Sequence, residues 1–149
     1  MPEGVTRRGD MSRLSDRAKR AVAQGGSEAV RLHRNVAEPE HVLLGLLWCG
    51  DEKVSRILEA QGVQLARARE LVESLGGQGD VVGQITEVRP SSSTREVIER
   101  AATKADRTGH DRIEPEHVLL ALIEERGTVA KVLGSFGVSA DAVRRGLAD

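Results

Sequence analysis

Glu38-Pro39-Glu40-His41-Val42-Leu43-Leu44 recurs letter for letter as Glu114-Pro115-Glu116-His117-Val118-Leu119-Leu120, 76 positions later. An identical heptapeptide in diverged surroundings marks an internal duplication, so the fold must be built from two related units. At the same offset Ala21 matches Val97, Val22 matches Ile98, Ala29 matches Ala105 and Arg31 matches Arg107. Further on, Val54, Leu58, Gly62 and Val63 match Val129, Leu133, Gly137 and Val138 at an offset of 75. One residue is therefore missing from the second copy opposite the stretch between Leu47 and Val54, where a short loop absorbs it. The division reads as a flexible leader 1–13, repeat one 14–75, a linker 76–92 and repeat two 93–148. Two units of this size pack into one domain rather than stacking into a long solenoid.

Each unit parses into four helices. The first starts after Leu14, with Ser15 as N-cap and Asp16 in the first turn, where an acid complements the helix dipole. Ala18, Ala21, Val22, Ala29 and Leu32 then follow the 3.6-residue period. Gly25 and Gly26 fall inside this helix, which close packing against a neighbour explains. The second helix opens at Pro39, whose fixed φ suits the first helical position, and is apolar nearly all round, so it is buried. A third, short helix carries Val54, Ile57 and Leu58 and stops at Gly62-Val63 with the pattern of a Schellman ending. The fourth carries Leu65, Ala68, Leu71, Val72 and Leu75. Repeat two follows the same plan over about 93–108, 115–125, 128–135 and 139–148. The expected fold is all-α: two tandem four-helix repeats with pseudo-twofold symmetry.

Composition narrows the function. A net charge of −1 comes with interspersed acids and bases, and the aromatic residues are one Trp and one Phe. Without a basic stripe or stacking rings, nucleic-acid binding is not expected. Cys49 is the single cysteine, which leaves neither an intramolecular disulfide nor a cysteine metal cluster. No apolar run approaches the roughly 20 residues a membrane helix needs. The first residues lack the apolar core of a secretory signal, and Met11 could serve as an alternative start. A cytoplasmic protein with no cofactor is the expectation.

At this point the residues resemble a known family. A buried Glu-His-Val-Leu-Leu helix, preceded by Leu32-His33-Arg34-Asn35 and followed by a Gly-Val stop, is similar to the Clp N-terminal repeat. That repeat forms the substrate- and adaptor-binding domain ahead of the ATPase modules in ClpA-, ClpB- and ClpC-type unfoldases, and the ClpC type is the nearest pattern. The likeness runs from Leu14 to Leu147 in duplicate. ATP-driven unfolding requires a Gly-rich loop ending in Gly-Lys-Ser/Thr, and none of Lys19, Lys53, Lys104 and Lys131 follows a glycine. The chain thus resembles a free-standing Clp N-domain without a motor, and no enzymatic activity is expected.

In ClpC-type relatives the Glu of a Thr-Glu-His motif in each repeat helps bind phosphoarginine on marked substrates. The resemblance nominates Glu40 and Glu116, since a carboxylate can fork onto a guanidinium while helix N–H groups accept the phosphate. Pro39 and Pro115 replace the motif's Thr, removing a hydroxyl and an N–H from each site. The bland alternative is that both glutamates only complement the helix dipole. His41 and His117 adjoin these glutamates, but neighbouring helix positions point about 100° apart and cannot easily share an ion. They read as packed, hydrogen-bonded anchors of the helix start rather than metal ligands.

The family also has a partner surface at the starts of both first helices, with a Phe before each, where adaptors and certain cyclic peptide antibiotics engage. Leu14 and Pro90 occupy those positions here, so a ring-lined pocket is impoverished. Trp48 and Cys49 close the buried helix of repeat one only. Trp48 reads as core or half-core, and would be a partner anchor if exposed. The expected role is non-enzymatic binding of substrates, degrons or adaptors of the Clp system, or of the Clp unfoldase itself. Alternatives are a decoy that sequesters peptide ligands or Clp-directed cyclic peptide antibiotics, and an interaction-only repeat protein unrelated to proteolysis.

Overall fold

In a computed structural model that describes residues 11–76 and 78–148, each copy of the heptapeptide opens a helix that threads the centre of the molecule. Repeat one consists of α1 (Asp16–Arg31), α2 (Pro39–Cys49), α3 (Glu52–Ala60) and α4 (Leu65–Gly76). Repeat two consists of α5 (Ser92–Arg107), α6 (Pro115–Leu122), α7 (Thr128–Ser135) and α8 (Ala140–Ala148). The fold is all-α, two four-helix repeats about a pseudo-twofold axis.

Local signals set the boundaries. Ser15 and its counterpart Ser91 each cap a first helix, accepting the N–H of Ala18 and of Thr94 at 3.1 Å. Pro39 and Pro115 stand at the first helical position of α2 and α6. The third helices end in paired Schellman motifs: Val63 N–H donates to Leu58 O and Val138 N–H to Leu133 O, both at 3.0 Å. Gly62 and Gly137 sit at φ +83° and +71° in these motifs, where a side chain would be strained.

Two expected boundaries shift. α6 stops at Leu122 instead of running to 125, because Glu124 and Glu125 N–H groups donate three residues back, to Ala121 O and Leu122 O. That tightened turn aims Glu124 at Lys104 (2.7 Å) and Glu125 at Arg100 (2.8 Å) on α5. The leader also ends sooner than expected. Residues 1–10 lie outside the described residues, but Met11–Arg13 form a 3-10 turn packed on repeat two. Arg13 is buried there, pairing with Asp106 at 2.9 Å and donating to Asp111 O at 3.0 Å.

Contacts between the repeats come in symmetric pairs. α2 packs on α7 as α6 packs on α3, α4 packs on α7 as α8 packs on α3, and α2 meets α6 on the axis. The chain just before each first helix also pairs with the chain just before the other repeat's second helix. Leu14 bridges Ile113 in parallel, while β2 (Arg89–Pro90) pairs in parallel with β1 (Val36–Ala37), in the register Ala37 to Pro90. Leu14 and Pro90 are equivalent positions, as are Ala37 and Ile113, so the two bridges are images of one another.

The core is one continuous cluster spanning both repeats, with Leu43, Leu44 and Leu119 fully buried. α1 and α2 approach so closely that a Cβ on Gly45 would lie 2.1 Å from Ala21 O and 2.7 Å from Gly25 N. Gly25 is thereby explained by close packing. Its equivalent and that of Gly45 are Ala101 and Ala121, so the second copy tolerates methyl groups at the same crossing.

Candidate ligand-binding site

The heptapeptide places its residues identically in both copies. Glu38 and Glu114 stand at the N-cap, and His41 and His117 turn back so that Nδ1 accepts the Glu38 or Glu114 backbone N–H at 2.9 Å. Each histidine thus satisfies one of the donors a helix start leaves orphaned. Accepting at Nδ1 puts the proton of the neutral ring on Nε2. Burial lowers both histidine pKa values, that of His41 to about 4, with Arg34 adding to the depression. These are neutral structural anchors, as the sequence suggested. Among the described residues no group of three His, Cys, Asp or Glu side chains is placed to hold a metal ion.

Glu40 and Glu116 lie half-buried in the first turns of α2 and α6, and their surroundings differ. Glu40 and Arg34 both approach the last turn of α4: a Cβ on Gly76 would meet Glu40 Oε2 at 3.9 Å and Arg34 Nη2 at 4.0 Å. Arg34 is itself pinned by donating from Nη2 to Gly76 O. The linker then folds over it, with Gly79 N–H donating to Leu32 O at 2.7 Å and Val81 N–H to His33 O at 3.2 Å. Only glycine fits at 79, since a Cβ would lie 2.6 Å from Arg34 Cγ and 2.3 Å from His33 O. Burial raises the pKa of the Glu40 carboxyl, and the nearby Glu38 and Glu125 add to that against Arg34.

Glu116 instead borders an open groove of about 620 Å³ between the repeats, lined by Arg17, Asp51, Glu52, Lys53, Arg56 and Gly146 among others. Arg17 separates it from a smaller pocket of about 260 Å³ containing Cys49, Gly50 and Pro115. The Arg17 guanidinium reaches Asp51 Oδ1 at 3.0 Å and Glu114 Oε1 at 3.6 Å, linking the N-caps of α3 and α6 across the axis. Neither carboxylate oxygen receives a hydrogen bond of good geometry, although both atoms are buried. Arg17, Lys53 and Arg56 were not singled out from the sequence. Lys53 and Arg56 share a helix face at i,i+3, but nothing local indicates that this face looks onto Glu116.

The partner-surface positions fare differently. Leu14 is 2% exposed, part of the common core, and its backbone bridges Ile113. Pro90 is half-buried at the edge of an apolar groove of about 390 Å³ formed with Val22, Gly26, Val30 and Val88. Trp48, expected in the core or half-core and as a partner anchor only if exposed, is 55% exposed: it follows the last fully buried turn of α2, and its counterpart in repeat two is Glu124. Cys49 is half-buried, and burial raises its thiol pKa, which disfavours a reactive thiolate.

The fold is a duplicated bundle of two four-helix repeats, with the start of α6 bordering an open groove. The family described as Clp repeat (R) N-terminal domain matches residues 13–135 and again 89–149, and the chain belongs to it. ClpC/MecB of Bacillus subtilis, a negative regulator of genetic competence, is 36% identical over 134 residues, covering 89% of this chain and 16% of that protein. ClpB of Oceanobacillus iheyensis is 35% identical over 134 residues, with the same coverage of 89% and 16%. The chain therefore spans about a sixth of the length of these relatives. Among solved structures, the N-terminal domain of ClpD from Arabidopsis thaliana superposes with a TM-score of 0.76 at 25% identity, over 91% of this chain and 92% of that one. The ClpV N-domain in complex with a VipB peptide shares the fold, with a TM-score of 0.69 at 16% identity over 92% and 86% of the two chains.

Proposed function

We propose that this chain recognises polypeptide segments for a Clp unfoldase system in the cytoplasm, as a binding module for substrates, degrons or adaptors. The observation that carries the reading is the Glu-His helix start of a Clp repeat placed beside an open groove of mixed charge. A peptide complex of a protein with the same fold supports it. Glu40 and Glu116 are the candidate contacts, and phosphoarginine on a marked substrate is the candidate degron. A carboxylate pairs bidentately with a guanidinium, and such charge-assisted bonds are the strong ones. The apolar groove beside Pro90 is the candidate surface for an adaptor or for a cyclic peptide.

The test is competition. Added in excess to a reconstituted Clp unfoldase and protease degrading an arginine-phosphorylated client, the chain should slow degradation in a saturable way. The Glu40→Ala, Glu116→Ala double variant, shown by circular dichroism to be folded, should lose that effect. Unchanged degradation at every concentration, together with no binding of the client, would reject the proposal.

A further inference from the structure

We propose that His110 is a proton-responsive positioning residue, joined through the Thr108 hydroxyl to His117 at the start of α6. Both repeats place a basic side chain at this position, of different kinds. In repeat one it is Arg34, charged at any ordinary pH, which adds to burial in keeping His41 neutral. In repeat two it is His110, packed edge-on against the His117 ring with centroids 4.8 Å apart. Histidine is the side chain that changes charge between pH 5 and 8, so a fixed cation is replaced by a conditional one. Leu32 stands where repeat two has Thr108, and the hydroxyl link therefore belongs to repeat two.

Thr108 Oγ1 lies 2.7 Å from His110 Nδ1, 3.0 Å from Lys104 O, 3.2 Å from Ala105 O and 3.5 Å from His117 Nε2. A hydroxyl has one proton to donate and two lone pairs. The carbonyls only accept, so the Thr108 proton goes to the end of α5 and both lone pairs face the rings. His117 donates from Nε2, because its Nδ1 already accepts the Glu114 N–H; this contact is at the outer limit of a hydrogen bond. His110 then donates from Nδ1, which leaves its Nε2 to take up a proton as pH falls. Once charged, His110 binds Thr108 by a charge-assisted bond at the end of α5, where the helix dipole favours a cation. The new charge also stands beside His117, which burial holds neutral. The other charges acting on that ring are Glu116 and Glu114 on its own helix and Lys53 on α3. Arg17 of α1 is drawn to Glu114, and Lys104 of α5 to Glu124. His117 thus keeps its bond to Glu114 while the helix start gains a positive charge. The consequence for binding rests on the proposed reading of this helix start as a polypeptide contact: acidic segments are held more firmly when His110 is charged.

Nitrogen-15 NMR of the histidine rings in the whole chain, followed from about pH 8 to about pH 5, tests the relay. At the alkaline end His110 should carry its proton on Nδ1 and His117 on Nε2, and charging of His110 should move the His117 nitrogens with the same midpoint. Thr108→Val should release His110 to the other tautomer and shrink the His117 response, and Thr108→Ser should restore both. His110 protonated on Nε2 in the unaltered chain, or a His117 signal that stays flat while His110 charges, would overturn the proposal. Fluorescence anisotropy with a labelled glutamate-rich peptide at low salt reads the consequence. Binding should tighten about threefold between pH 8 and pH 6. His110→Gln should remove that change, and His110→Arg should hold the tighter value at both pH values. A change that survives His110→Gln would overturn the role of His110 in recognition. No binding at either pH would instead overturn polypeptide recognition at α6, with the spectra still deciding the relay.

Discussion

Arg69 on α4 grips the buried carboxylate of Glu28 on α1 with both ends of its guanidinium, Nε to Oε1 at 3.0 Å and Nη2 to Oε2 at 2.6 Å. Glu28 is 1% exposed and also receives Arg31 Nε and Gln24 Nε2 at 3.4 Å. Burial alone would raise its pKa, but the hydrogen bonds and charge of Arg69, with Arg31, outweigh it and leave the carboxyl below the ordinary value. Glu28→Ala strands a guanidinium against a filled interface and is expected to destabilise by about 3 kcal/mol, read from chemical denaturation. Arg69 is 31% exposed, so water screens part of the pair and the estimate belongs at the lower end for buried ion pairs. Because the folded pKa is depressed, this stabilisation is complete above the ordinary carboxylate value of 4.5 and is lost as pH falls below it. The acid limb of the stability curve should flatten in the variant.

His41 carries a second pH dependence, in a different window. Its folded pKa of about 4 lies below the ordinary 6.5, so the unfolded chain binds the extra proton first. Stability is therefore full above pH 6.5 and declines as pH falls toward 4, by about 2 kcal/mol at pH 5. Protonation also removes the Nδ1 acceptor for Glu38 N–H. Titration of the ring Cε1–H by NMR should show no charging of His41 at pH 6; a normal titration there would refute the account.

Gly45→Ala should be among the most damaging single-methyl changes in the molecule. Its Cβ would stand 2.1 Å from Ala21 O, a backbone atom that moves only if α1 and α2 separate. A loss of about 3 kcal/mol is expected, against about 1 kcal/mol for Ala121→Gly at the equivalent crossing of repeat two, where only helix propensity and a methyl contact are given up. Paired denaturation curves compare the two.

His33 ends α1 at φ +61°, the left-handed conformation that its equivalent Gly109 adopts at +77°. The capping bonds run through the backbone, from His33 N–H to Val30 O and Arg34 N–H to Ala29 O, so removing the imidazole leaves them intact. His33→Gly is expected to stabilise by about 0.5–1 kcal/mol, the left-handed penalty less the added chain entropy of glycine. A lower denaturation midpoint would mean that the imidazole itself contributes to holding the linker.

Much of this was legible because it is local. The duplicated heptapeptide, the Ser15 cap, the Pro at the head of α2 and the Gly62-Val63 stop each act within a turn or two of chain, where residue identity decides hydrogen bonding directly. Trp48 misled for the converse reason. It continues an apolar run, and which side of α2 faces away from the axis depends on α6 and α7, not on its own neighbours. The burial of Leu14 depends likewise on distant chain: it joins the common core beside its bridge to Ile113, about a hundred residues away.

The amino-acid sequence alone determined that the protein is two helical repeats sharing one core, since periodicity, caps and repetition are written into short stretches of chain. Only the tertiary structure decided that the two copies of Glu-Pro-Glu-His are unequal. Identical letters acquire different electrostatics because the linker lays Gly79 on Arg34 beside one glutamate, while α3 brings Lys53 across the axis to a groove bordered by the other. Charges placed by distant segments set what a carboxylate meets, and no local pattern encodes that distance.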